Sequence, residues 1–464
     1  MFGDARVIVV GGGIAGIAAA TRLIENGFDN VTILEAGNRL GGRINTVPFG
    51  ETCVDLGAHW VHGEKDNPVF SLASPLGLLE SSRDLENMRF VLSDGSHLTL
   101  DAGLRLFERC SIVLDDLTAL KEFRGSVADY LRSRYDELLQ DVELSPDDSK
   151  AFFDWMSRFE CSIEGCNSLD EASATGLASY KQCDGDPVIC WKKGGYSTLI
   201  DILLSREIDL GTKTRLNSVV THVDWSGTDT DGGNVKLRCA DGSEHYADHI
   251  VLTVSLGVLK QDSIAFKPPL PANKVNAIKG LEIGTVNKIY LYYENQWWPD
   301  DCSGFSFLYK DKNSSEKKSE RSWTDEVIGF YAEKNSPRVL CGWVVGEAAR
   351  NVEKLTDSEV AEACTNLLRT FVGHEFSVPQ PAAIVRSNWF SNPHFRGSYS
   401  FRSMHTEEMK TSASDLAEPL VNNKGLQVLL FAGEATHECF YSTVHGAMES
   451  GWREADRIIN MYTK

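Results

Sequence analysis

The most restrictive feature of this chain lies within its first 35 residues. Arg6-Val-Ile-Val-Val10 is a short β-branched run of the kind that forms a buried parallel strand. It ends at Gly11-x-Gly13-x-x-Gly16. From Ile14 to Glu25 small and apolar residues recur at helical spacing, Asn26-Gly27 supplies a helix stop, and Val31–Leu34 reads as a second strand. Glu35 closes that strand, 19 residues after Gly16. A strand, glycine turn, helix and strand in this order form the dinucleotide fingerprint. Gly11 permits the tight turn, Gly13 lets backbone approach a pyrophosphate, and Gly16 lets the helix pack on the strand. Ile14 and Ala15 open a helix whose N–H groups face the anion, and Glu35 meets the ribose hydroxyls. An acidic residue here also disfavours a ribose carrying a 2′-phosphate. The fingerprint does not separate NAD from FAD.

The next segment favours the longer cofactor. Glu35-Ala36-Gly37-Asn38-Arg39-Leu40-Gly41-Gly42-Arg43 adds a second glycine pair flanked by two arginines. Those glycines bring backbone amides close to an extended ligand, and Arg43 can neutralise pyrophosphate charge.

Beyond the fingerprint, the chain has 464 residues, enough for two or three domains. Residues 101–145, with Leu104, Phe107, Leu114, Leu117, Tyr130 and Leu138, carry helical periodicity. Strands are expected at Ser218–Trp225, Val235–Cys239, His249–Val254, Asn287–Tyr293, Val327–Tyr331, Val339–Val345 and Gln427–Phe431. Turns are expected at Asp231-Gly232-Gly233 and Asp241-Gly242-Ser243. Asp311–Glu326 is charged and poor in apolar residues, which predicts an exposed loop, and Val444–Tyr462 is helical in pattern. The last strand, turn and helix complete a sheet begun at the N-terminus. The expected fold is therefore α/β: a Rossmann-like FAD-binding domain assembled from discontinuous segments (1–75, 190–261 and 425–464), with an inserted α+β substrate-binding domain (76–189 and 262–424).

Composition excludes several classes. The formal net charge of -20 disfavours a phosphate backbone as partner, so no nucleic acid is expected, and it favours attraction of cations. Eleven cysteines, an odd number without a CxxC pair or a Cys/His ligand cluster, argue against a disulfide framework and a metal site. No run approaches the ~18 apolar residues that span a bilayer, and Val7–Val10 lies too near Met1 for a secretory core. The ending Met461-Tyr462-Thr463-Lys464 is not of the Ser-Lys-Leu type. No membrane is expected as partner, and the cytosol is the expected compartment.

Three blocks carry a resemblance: Glu35–Arg43; Gly57-Ala58-His59-Trp60-Val61-His62-Gly63; and Gly433-Glu434-Ala435-Thr436-His437 with Tyr441-Ser442-Thr443-Val444-His445-Gly446. In these, from residue 6 to about 460, the chain resembles the flavin amine oxidases and is most similar to animal polyamine oxidases, the group of spermine oxidase and N1-acetylpolyamine oxidase. The resemblance implies FAD and a two-domain fold. It also implies oxidation of a secondary amine of spermine, spermidine or their N1-acetyl forms by hydride transfer to flavin N5. O2 is reduced to H2O2, and the imine is hydrolysed to an aminoaldehyde and a shorter amine.

Residue by residue, the resemblance puts the ADP part on Gly11, Gly13, Ile14, Ala15, Gly16, Glu35, Ala36 and Arg43. Gly57, Ala58, His59, Trp60 and Trp389 lie along the flavin, the backbone of Val220 binds adenine, and Gly433 and Glu434 meet the ribityl or pyrophosphate region. Thr443 and Val444 face the pyrimidine end of the ring, where a helix N-terminus stabilises negative charge. Spacing alone reads Lys288, on an alternating strand opposite Ile289, as a solvated charge. By the resemblance, Lys288 instead holds a water against flavin N5. His62 then faces the substrate, as in the animal type, and Tyr399 forms a wall of the substrate tunnel. Family members that tether flavin do so through a cysteine in this region, and none lies between Cys364 and Cys439, so FAD is expected to be non-covalent. Glu164, Asp184 and Asp186 are candidates for holding distal ammoniums. Alternatives are another flavin amine oxidase (monoamine, amino acid or histone-lysine demethylase) and a binding scaffold without turnover.

Overall fold

The structure, a computed structural model, describes residues 5–82, 87–205, 209–227, 233–310 and 322–463. Its first sheet has six strands in the order Leu420–Val421, Gln427–Phe431, His249–Leu252, Val7–Val10, Val31–Leu34, Thr214–Arg215. Val7–Val10 sits in the middle and pairs in parallel with both neighbours, in register Val7↔Val31 and Val7↔His249. All four of its residues are buried, as a β-branched strand covered on both faces must be. The helix Ile14–Glu25 crosses from this strand to Val31–Leu34. The C-terminal helix Val444–Tyr462 packs beside it, through Ala15, Ala18, Ala19, Ala455 and Ile458 in one buried cluster. Ile8, Val10, Leu237, Ile250 and Leu429 fill the cluster on the opposite face. This is a Rossmann-like α/β sheet whose strands come from both ends and the middle of the chain.

The second large sheet is mixed, in the order Ala383–Arg386, Val286–Tyr292, Val339–Val345, Gly329–Ala332, Gly304–Leu308, Met88–Leu92. Helices Leu100–Leu114, Val127–Leu138 and Pro146–Glu164 pack against one face around Phe90, Phe152 and Trp155. Helix Asp357–Val372 covers the other face with Ile289, Leu291, Phe305 and Phe307.

The structure differs from sequence expectation where local signals compete. The periodic block 101–145 is three helices, broken after Leu114 and after Glu122, because Asp116 and Ser126 cap new N-termini. Two long helices outside it, Pro146–Glu164 and Asp357–Val372, go beyond the sequence expectation. The second carries a legible start signal, a reciprocal Thr356/Glu359 capping box. Strands Met88–Leu92 and Gly304–Leu308 were also not expected, being short apolar runs that periodicity cannot distinguish from buried helix. Of the expected loop Asp311–Glu326, residues 311–321 lie outside the described residues, and Trp323–Glu326 is a short 3-10 turn. Residues 231 and 232 of the expected Asp231 turn also lie outside them. The edge strand Leu420–Val421 brings the first sheet's chain in before residue 425.

The two outer helices of the first sheet touch backbone to backbone. A Cβ added at Gly451 would lie 2.2 Å from the carbonyl oxygen of Ala15. Gly451→Val must therefore push the C-terminal helix off the helix that opens at the glycine turn, an overpacking that costs about 1–3 kcal/mol. A fall in the urea midpoint of the purified variant, with the slope unchanged, is the expected outcome.

Candidate active site

A cavity of about 790 Å³ runs from the carboxyl ends of Val7–Val10 and Val31–Leu34 to the helices over the second sheet. That location is where open α/β sheets bind ligands. Every site residue singled out by sequence lines it except Asp184, Asp186 and Gly16, the last of which acts from behind. A Cβ there would meet the Gly11 carbonyl oxygen at 2.0 Å, so Gly16 lets the helix start against the turn. Gly11 has φ +107°, a conformation that favours glycine, and a Cβ at that position would strike Thr253 Oγ1 at 2.5 Å. The helix Ile14–Glu25 is preceded by Gly13 with no side-chain cap. Its first N–H groups therefore remain for an anion at the cavity wall. These features fit the pyrophosphate of a dinucleotide.

Glu35 accepts hydrogen bonds from Gly12 N and Gly37 N, each at 2.6 Å, and lines the cavity. It thus organises both glycine turns while facing the ligand space. Arg43 donates to Glu434 Oε1 at 2.8 Å and to the Ser398 carbonyl at 2.9 Å. Its charge is therefore already matched, and the rest of its guanidinium fork is what remains for an anionic group. Glu434 also accepts from Ser400 Oγ at 2.6 Å and Ser442 N at 2.9 Å. Burial raises its pKa, but Arg43 and these donors outweigh burial and hold the carboxyl below its ordinary value. Thr443 caps the C-terminal helix by accepting from Gly446 N. The indole of Trp389 donates to Leu56 O at 3.2 Å, and Val220 joins the wall at the start of its strand.

Lys288 is buried, on the face of Val286–Tyr292 opposite Ile289. Its ammonium donates to Asp55 O and Gly57 O, each at 2.9 Å, and to His59 Nδ1 at 3.2 Å, and it lies 4.8 Å from the centre of the Trp343 ring. Trp343 stacks on Trp60, centroids 5.7 Å apart. Burial, then the charge of Lys288, then His62 hold His59 well below the usual imidazole range, so it is neutral. With Nδ1 accepting from Lys288, the Nε2–H of His59 faces Glu333 Oε2 at 3.7 Å. His62 opens onto the cavity, and its Nδ1–H donates to the Pro187 carbonyl at 3.0 Å. Removal from bulk water lowers its pKa despite that carbonyl, leaving Nε2 as a free acceptor. Tyr399 donates its hydroxyl to the Ser162 carbonyl and borders the same space.

At the far end, Asp115, Glu160 and Glu164 line the cavity on two helix ends. Glu160 is 8% exposed. Burial, then repulsion from Glu164 and Asp115, push its pKa up to about 8, and burial raises Glu164 to about 7. Sequence reasoning missed Glu160, although it lies one helical turn from Glu164 on the same face. It also missed Glu333, which no local pattern marks. Asp184 and Asp186 do not reach the cavity wall. Asp184 pairs with exposed Lys65 at 3.3 Å, and Asp186 caps Val188 N at 2.9 Å, so both hold the loop that carries His62.

The chain belongs to the flavin containing amine oxidoreductases, whose family model matches residues 14–459, and its cofactor is FAD. Within that family it is 33% identical over 500 residues to the bovine (Bos taurus) peroxisomal N(1)-acetyl-spermine/spermidine oxidase, covering 98% of this chain and 95% of that protein. It is 29% identical to probable polyamine oxidase 5 of Arabidopsis thaliana, over 99% and 98% of the two chains. Among solved structures, a double mutant of putrescine oxidase made for redesign of its cofactor binding superposes with TM-score 0.73 at 21% identity, over 98% of this chain and 99% of that one.

Glu35→Ala removes a charged acceptor of two hydrogen bonds from the glycine turns and a carboxylate from the cavity wall. Each such bond contributes about 1.5–3 kcal/mol, so FAD affinity should fall at least tenfold. Gel filtration of the variant at low concentration should separate flavin from protein.

Proposed function

We propose that the protein is an FAD-dependent polyamine oxidase acting on a secondary amine of spermine, spermidine or an N1-acetyl derivative. One observation carries this reading. The cavity that begins at the dinucleotide turn ends on the carboxylates of Glu160, Glu164 and Asp115, and the charges acting on Glu160 are those of the other two. A buried carboxylate group of this kind calls for a cation, and distal ammoniums of a polyamine supply it. A monoamine would leave these carboxylates without a partner charge. The chain's similarity to curated polyamine oxidases points the same way. We take residues 1–75, 190–261 and 425–464 as the FAD-binding domain and the remainder as the substrate-binding domain. The cytosol is our assignment for the compartment. Its support is that the eleven cysteines are free, as in a reducing environment.

FAD, when bound, accepts two electrons from the amine's α-carbon and passes them to O2, giving H2O2. The chain must present the reacting nitrogen without a proton, because only the neutral amine has the lone pair that drives this loss. Neutral His62, with Nε2 toward the cavity, can accept that proton. The apolar walls around Trp60, Trp343 and Tyr399 exclude bulk water. Lys288, held by two carbonyls and His59, fixes a positive charge at one place in the wall. We assign it the family role of organising a water beside the flavin. The flavin is non-covalent in this reading, with no cysteine between Cys364 and Cys439.

Anaerobic mixing with spermine or spermidine should bleach the flavin band, whereas benzylamine or a methyl-lysine peptide should not. Bleaching by the monoamine alone would overturn the polyamine assignment. In Lys288→Met, stopped-flow absorbance should locate a loss of ~10²-fold, about 2.7 kcal/mol, in flavin reduction or in reaction with O2. Wild-type rates in both steps would remove Lys288 from the mechanism.

The carboxylate pair also sets a pH dependence. Both pKa values are raised, so below about pH 7 the pair is largely protonated and binds a polycation weakly, and as pH rises through about 7 to 8 it gains charge. KM for spermine should fall across that window, and Glu164→Gln should flatten the fall while leaving flavin content unchanged.

A further inference from the structure

The described residues contain one group of three metal-ligating side chains remote from the cavity, His97, His374 and Glu375. Their ligand atoms all lie within 4.8 Å of one another. His97 follows the tight return at the end of strand Met88–Leu92, where Leu92 N donates to Ser96 O and Leu98 N to Phe90 O. His374 and Glu375 follow Gly373, which ends helix Asp357–Val372. Two elements that are 277 residues apart in sequence thus bring their ligands to one point at the sheet's edge.

The cluster is arranged as a donor set. Arg89 donates to Glu375 Oε1 at 2.7 Å, which fixes the carboxylate and leaves Oε2 3.4 Å from His97 Nε2. That contact would be an ion pair only with a charged imidazole. A Cβ at Gly95 would come within 3.1 Å of the His374 ring, so the turn packs against that histidine and limits where it can move. Two imidazoles and one carboxylate suit a borderline divalent cation such as Zn²⁺. Mg²⁺ and Ca²⁺ prefer oxygen ligands alone. Beside the cluster lies a recess of about 370 Å³, with Arg89, Leu98, Asp301 and Cys302 in its wall. A three-ligand site there keeps a fourth position for water. The thiol of Cys302 is buried and turned to Gly304 O at 3.5 Å, so it is not part of the set.

We propose that His97, His374 and Glu375 form a surface site for Zn²⁺ or a similar transition-metal ion, clipping the return after Met88–Leu92 to the end of helix Asp357–Val372. The function of this clip is structural: an ion bound to the folded chain and not to the unfolded one raises stability by mass action. It does not depend on the amine oxidase reading.

The test uses the full-length holoprotein after EDTA treatment and dialysis. Titration with ZnCl2 should show one equivalent more in the wild type than in His97→Ala/His374→Ala, and Zn²⁺ should raise the melting temperature of the wild type only. Loss of an outer partner alone weakens a metal site about 10–100-fold, so losing two ligands should weaken this one by at least about 100-fold. Co²⁺ should give visible absorption bands in the wild type that vanish in the double variant, and MgCl2 should give no saturable binding. All three ligands are exposed, so the variants should fold, and Glu375→Gln provides a milder check with an expected tenfold loss. Equal Zn²⁺ stoichiometry and equal thermal shifts in wild type and double variant would overturn the proposal.

Discussion

The buried carboxylate of Glu434 ties together chain segments that are far apart. It receives Arg43 from the second glycine turn, Ser400 from the short strand Ser400–Phe401, and Ser442 from the turn before the last helix. Removing either charge of such a pair leaves the other uncompensated, at a cost of about 3–5 kcal/mol. Its pairing with Arg43 therefore bears on the alignment of the glycine turns, the aromatic wall and the C-terminal helix around one cavity. Arg43 spans 391 residues to reach it.

A second buried charge performs the same service for the reacting side. Lys288 reaches across from the mixed sheet to the carbonyls of Asp55 and Gly57, and Asp55 is in turn held by Thr46 and by Tyr196 N. Burial raises the Asp55 pKa, against the pull of Thr46 and Lys288. Each of these groups is satisfied by neighbours from a different strand or loop. That is how a polar cluster can sit in a dry interior without destabilising it. The cavity consequently has a buried cation, Lys288, in one part of its wall and the carboxylates of Asp115, Glu160 and Glu164 at the helices, two stations of opposite charge in one space.

The legible part of the site was the part built from local backbone needs. Gly11, Gly13, Gly16 and Glu35 work within one turn and two strands, so their roles follow from spacing. Tyr399, Thr443 and His62 were assigned through resemblance and do line the cavity. Glu160 and Glu333 were missed for different reasons. Glu160 sits in the separate helix Pro146–Glu164, which begins just past the block 101–145 that periodicity marks as helical. Glu333 gains meaning only from His59, which lies 274 residues before it. Asp184 and Asp186, candidates with Glu164 for holding distal ammoniums, are both used to hold their own loop, which no local pattern records.

The sequence by itself determined the nucleotide-binding unit, because a β-branched strand, a glycine turn, an uncapped helix and a terminal carboxylate are specified by neighbours within 35 residues. It also determined the α/β class and the family. Only the tertiary structure decided that Lys288 is buried and that Glu160 and Glu164 share one end of the cavity. The convergence of His97 on His374 was likewise decided there. These depend on which faces of distant elements are packed together, and the energy that packs them is the nondirectional burial of apolar surface. Sequence spacing records the faces, and the fold alone records their partners.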